Sequence, residues 1–133
     1  MADSGYTLTN VHDADDVTGE RTGGNIEGRF LRPRMDSKEL GVSYFRYAPG
    51  FRASVGHHHE TQEEVYVVVG GSGSAKLGDD VVDLKRWDVL RVAPDVIRGF
   101  AAGPDGLEII AVGGPKPEGG DGQPTDSPWP DEG

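Results

Sequence analysis

"GHHHETQEEVYVVVGG", residues 56–71, is the stretch on which the fold turns. Its second half is a run of β-branched and aromatic residues closed by two glycines, the composition of a strand that ends in a turn. Its first half sets three histidines in a row. On extended backbone, alternate side chains share a face. His57 and His59 therefore project together, and His58 points away. On the strand that follows, Glu64, Tyr66 and Val68 share one face, and Glu63, Val65 and Val67 share the other. Two imidazoles from one segment and Glu64 from the next can converge on a divalent cation. A set of two histidines and one carboxylate leaves coordination positions open for a substrate or oxygen. Histidines in a solvated loop would bind nothing, and the strand directly after them favours the metal reading.

The same strand grammar extends outward. Glycine (21) and proline (9) punctuate a chain of 133 residues, so the elements are many and short. "GRFLRPR" (28–34), "GVSYFRYAPG" (41–50), "DVLRVAP" (88–94) and "LEIIAVGG" (107–114) read as strands. "GSAKLGDDVVDLKRWD" (73–88) reads as a hairpin turning at "GDD", and "GPDG" (103–106) as a turn between strands. No twelve-residue stretch has a helical period. Strands at about ten-residue spacing with turns between them predict an all-β sandwich or small antiparallel barrel in a single domain.

Composition narrows the function. The chain has no cysteine, which excludes disulfides, thiolate metal sites and cysteine nucleophiles. A net charge of −10 is the wrong sign for binding nucleic acid or an anionic membrane. It fits a protein of a salty cytoplasm or an ordinary acidic one. No run of some twenty apolar residues is present, and the first residues lack the basic start and apolar stretch of a secretory signal. A cytoplasmic location is the expectation.

The two ends differ from the middle. Residues 1–24 are a polar arm in which "YTLTNV" (6–11) can add an edge strand. Residues 25–114 form the barrel. Residues 115–133 are proline, glycine and acid, too polar to bury the surface that ordering requires, and are expected to be a flexible tail. Trp129 is the one residue there suited to dock.

The stretch from Pro49 to Gly71 resembles the first motif of the cupin superfamily, with Gly50, His57, His59, Glu64 and Gly71 at its glycine, histidine and acid positions. The spacing from Gly50 to His57 is one residue longer than the usual pattern. "WDVLRVAPDVIRGF" (87–100) is similar to a degenerate second motif. Trp87 and Asp95 stand for its glycines, Pro94 matches its proline, and Arg98 sits where the family has a fourth metal ligand, a histidine. The resemblance covers residues 41–114. It implies a double-stranded β-helix jelly roll with the site in the mouth of the barrel. It also implies a divalent transition metal on His57, His59 and Glu64, with Fe, Mn, Ni, Co and Zn all open. Family members often dimerise, so a homodimer is expected.

Arginine cannot ligate a metal. Either Arg98 faces the open coordination position and anchors a carboxylate or enolate, or it pairs with Glu64 in place of the metal. His58 swinging in as a third imidazole is a further possibility. Tyr66, two residues past Glu64, and Phe100, two past Arg98, are candidates for the substrate wall. Arg46 and Arg52 read as surface charges, and Glu108 and Asp88 as surface or turn residues. The leading expectation is a metal-binding cupin acting on a small anionic or oxygen-rich molecule, with dioxygenase chemistry first among reactions. The alternative is a non-catalytic domain that binds or senses a small ligand at a degenerate metal site.

Overall fold

The computed structural model describes residues 5–54, 56–115, 120–125 and 127–129. Among these residues eight antiparallel strands form one curled sheet: β1 (Ile26–Phe30), β2 (Gly41–Tyr47), β3 (Gly56–His59), β4 (Glu64–Leu77), β5 (Asp80–Lys85), β6 (Val89–Val92), β7 (Arg98–Gly113) and β8 (Gly122–Thr125). One short helix, α1 (Arg32–Met35), links β1 to β2. Among the described residues no helix is long and apolar enough to cross a membrane.

Two long strands organise the sheet. β7 pairs with β2 through Leu107–Gly113, runs along β4, and meets β3 at Arg98 and His57. β4 pairs with β6 at its start, with β5 at its end, and with β7 on its other edge. "GPDG" is not the turn expected. Residues 103–106 stay within β7 and bulge opposite Ser72, where the register steps from Gly73–Ala102 to Gly71–Leu107. Such a bulge bends both strands and lets the sheet curl. Glycine is required there: a Cβ on Gly71, at φ +69, would stand 2.0 Å from the Gly106 carbonyl oxygen, and one on Gly73 2.1 Å from that of Ala101.

Alternation sorts the side chains. Tyr66 and Val68 on β4 and Leu107, Ile109 and Ala111 on β7 point inward at a spacing of two. Ala75, Leu84, Val92 and Phe100 complete the core. Glu64 heads the same inward row of β4, so the core face opens directly into the candidate site.

The ends depart from expectation. Residues 6–10 form no strand; the arm docks through an isolated bridge between Asp16 and Arg29 and two turns of 3-10 helix. "GRFLRPR" splits into the end of β1 and α1, because Pro33 suits the first turn of a helix. The tail is not uniformly loose. Residues 122–125 pair with β3 as β8, in register from His59–Gly122 to Gly56–Thr125. Asp121 and Trp129 are buried, and the Arg52 guanidinium lies 5.1 Å from the Trp129 ring. Residues 116–119, 126 and 130–133 of the expected tail lie outside the described residues.

Candidate metal centre

β3 is extended, so His57 and His59 leave it on the same side, toward the start of β4. Their rings stand nearly perpendicular with centroids 5.1 Å apart. Both aim Nε2 at one atom: Glu64 Oε1 lies 3.2 Å from His59 Nε2 and 3.5 Å from His57 Nε2. The three ligand atoms all lie within 4.8 Å of one another. Ligands about 2.1 Å from a common metal stand roughly 3 Å apart when adjacent, so the spacing suits one ion.

The donor chemistry also fits. Asp121 Oδ1 lies 2.9 Å from His59 Nδ1, and His59 Nε2 is buried with no hydrogen-bond partner. With the imidazoles neutral, Glu64 and Asp121 outweigh the single positive charge of nearby Arg98, leaving a net negative pocket for a cation. Burial alone would raise the Glu64 pKa; in the metal-free site hydrogen bonds from His57 and the Tyr66 hydroxyl, with the charge that His59 and His57 carry when protonated, outweigh it and hold it at about 2. Tyr66 donates a short hydrogen bond to Glu64 Oε1. Burial, reinforced by the Glu64 charge, keeps Tyr66 well above the ordinary phenol value, so the phenol stays a donor.

Beside these groups lies a cavity of about 620 Å³, within the usual range for a small-ligand site. His57, His59, Glu64 and Asp121 form one wall. Phe45, Tyr47, Tyr66, Phe100, Ile109 and Ala111 form an apolar body. The Phe100 ring packs 4.9 Å from Tyr66 and 6.2 Å from Tyr47, so the cavity floor is continuous with the core. Arg21 and Arg32 are the cations at the cavity wall among the described residues.

Arg98 is elsewhere. It begins β7 beside His57, is fully buried, and does not line the cavity. Its guanidinium donates to the carbonyls of Ala93 at 3.1 Å and Pro94 at 3.3 Å. Nε faces Glu64 Oε1 at 4.0 Å, without a hydrogen bond. The turn around Pro94 captures the fork that anchoring a ligand would need. Arg98 is thus a buried charge near Glu64 and not an anion anchor at the cavity. His58 does not join the site: it turns back on its own strand, 3.5 Å from the His59 carbonyl. Glu63 forms a surface pair with Arg91 at 2.8 Å, Arg46 one with Glu27 at 3.0 Å, and Asp88 closes a turn on the Lys85 amide. Glu108, expected at the surface or in a turn, is half-buried and accepts the Tyr44 hydroxyl at 2.5 Å.

Sequence reasoning missed Asp121, Arg21 and Arg32. Asp121 and Arg21 come from stretches without strand character, and Arg32 from one read as strand that instead forms α1. The available signal was a single aspartate flanked by glycines in "GGDGQPT"; its nearness to the histidine strand comes from the β3–β8 pairing.

No protein-family model matches the chain, and no curated protein matches it. Solved structures do. A cupin protein from Bacteroides fragilis is similar at 22% identity over 85% of this chain and 86% of its own, with a TM-score of 0.69. KdgF from Halomonas sp. is similar at 17% identity over 86% and 96%, with a TM-score of 0.66. The polyketide cyclase RemF from Streptomyces resistomycificus is similar at 17% identity over 95% and 87%, with a TM-score of 0.71. The chain shares the fold of these structures. Trp87 adopts φ +75, a conformation that bulky residues rarely take, at the position compared above with a motif glycine.

Proposed function

We propose that this chain is a metal-dependent cupin that binds a small organic anion with an apolar body. The observation that carries this is His59 Nε2, a buried nitrogen without a partner, facing a carboxylate oxygen at 3.2 Å beside a second imidazole. With His59 neutral these are two acceptors facing each other, an arrangement that a cation between them relieves. His57, His59 and Glu64 would hold the ion, and a bound divalent metal supplies Lewis-acid polarisation of a substrate oxygen. The rest is work for the protein's own groups. Tyr66 holds the Glu64 carboxylate in place, Phe100 and Tyr47 exclude water below it, and Arg21 and Arg32 attract the anionic end of the ligand. Arg98 serves as the fixed counter-charge to Glu64.

Dioxygenase chemistry remains the first reaction to screen. The fold does not choose it, since one similar structure is a polyketide cyclase. A metal-free binding pocket is the second reading, favoured by the buried Arg98 guanidinium 4.0 Å from Glu64. Elemental analysis of protein purified without a histidine tag separates the two. About one metal per chain, lost in His57→Ala/His59→Ala, is the expected result, followed by oxygen uptake on small carboxylates and enols. No metal after soaking with Fe(II), Mn(II) and Zn(II) would transfer the site to the second reading. Pairing of two copies is part of the proposal, supported by the exposed Tyr6 and Leu8 on the arm. A concentration-independent monomer in light scattering would remove it.

A further inference from the structure

The carboxylate of Asp121 divides its two oxygens between two tasks. Oδ2 accepts the Thr61 amide at 2.6 Å, the Thr61 hydroxyl at 3.0 Å and the Gln62 amide at 2.9 Å. Oδ1 is left to His59 Nδ1 at 2.9 Å. Resting on the metal reading above, we propose that Asp121 is a positioning residue. It fixes His59 in the Nδ1–H tautomer and orients its ring, so that the bare Nε2 faces Glu64 and His57.

The reason is donor arithmetic. An aspartate holding three donors on Oδ2 is ionised and can only accept. At 2.9 Å, His59 Nδ1 must then donate. A metal ligand must be the neutral imidazole, which carries one N–H; with that proton on Nδ1, Nε2 keeps its lone pair. Asp121 is buried, and β8 directly after it pairs with β3. The C-terminal segment thereby determines what a histidine 62 residues earlier offers to the site. Histidine ligands in metal sites are commonly held this way by an outer carboxylate, and loss of that partner typically costs about 10–100-fold in metal affinity.

Asp121→Asn tests the assignment because it separates the two tasks. The amide oxygen must stay with the donors of Thr61 and Gln62, which keeps the segment clasped. The amide nitrogen then faces His59 Nδ1 and forces the Nε2–H tautomer, which cannot ligate. Long-range nitrogen–proton NMR on chelator-treated protein, at a pH high enough that the ring is neutral, reads the tautomer, and competition against a chromophoric chelator reads Zn(II) affinity. The expected result is Nδ1–H in the wild type, Nε2–H in the variant, and Zn(II) affinity lower by about 10–100-fold. A wild-type His59 in the Nε2–H form overturns the proposal, and this measurement decides even if the variant does not fold. Equal zinc affinity in both proteins, lost in His57→Ala/His59→Ala, overturns the proposal and leaves the metal reading standing. No zinc binding by the wild type overturns the metal reading, and the proposal falls with it.

Discussion

Asp16 near one end of the chain and Asp121 near the other use the same clasp for different ends. Asp16 Oδ1 gathers the amides of Thr18, Gly19 and Gly28 at 3.0, 2.9 and 3.0 Å, tying the N-terminal arm to β1. Asp121 Oδ2 gathers Thr61 and Gln62, tying the C-terminal segment to the loop before β4. In each, hydrogen bonds from backbone amides lower the carboxyl pKa. The difference lies in the second oxygen. Oδ2 of Asp16 stands over Gly19, where a Cβ would approach it to 2.2 Å. Oδ1 of Asp121 reaches a histidine of the candidate metal centre. A local backbone motif is functionally silent until tertiary placement gives its spare oxygen a target.

Substitutions can break this comparison, and the largest effect is expected at the ligands themselves. Removing both imidazoles in His57→Ala/His59→Ala should abolish stoichiometric metal, read by elemental analysis; retained metal would mean that neither aspartate lies near the binding site. Next is the Asp121→Asn loss of about 10–100-fold in zinc affinity. Asp16→Asn should leave zinc affinity unchanged in the same titration. Equal losses in both variants would reduce Asp121 to a structural clasp like its counterpart.

The comparison sharpens with pH. The amides of Gly28, Thr18 and Gly19 hold the Asp16 carboxyl down at about 2 from an ordinary 3.8. A depressed folded pKa stabilises the docked arm above pH 3.8, and that stabilisation is lost as pH falls toward 2. A carboxyl-carbon NMR titration should place Asp16 near 2; a midpoint at 3.8 would show that the clasp is not formed in solution. The smallest effect is local. Asp16→Ala should speed hydrogen exchange at the Thr18, Gly19 and Gly28 amides and leave exchange at Thr61 and Gln62 alone.

Legibility follows the range of the interactions. The row Glu64, Tyr66, Val68 was readable because strand alternation is a property of adjacent residues. His57 and His59 were readable for the same reason. Arg98 was placed in the right neighbourhood, but its partners are carbonyls of a turn whose path no local pattern specifies. "GPDG" has turn composition, yet Gly71 and Gly73 approach β7 so closely that the four residues are held as a bulge. The tail was misread because its composition cannot form a core of its own. β8 instead borrows the edge of β3, and Asp121 finds its donors in a loop already built.

By itself the sequence determined the all-β class, the inward face of β4, and the pairing of two histidines with one glutamate. Periodicity of two suffices for the first two, and the third rested also on the resemblance to the cupin motif. Only the tertiary structure decided that Arg98 is buried behind Glu64, that Arg21 and Arg32 reach the cavity, and that Asp121 meets His59. Arg98 meets Glu64 and Asp121 meets His59 across 34 and 62 residues, and the groups that hold them there are backbone carbonyls and amides, which every residue carries and no sequence pattern marks.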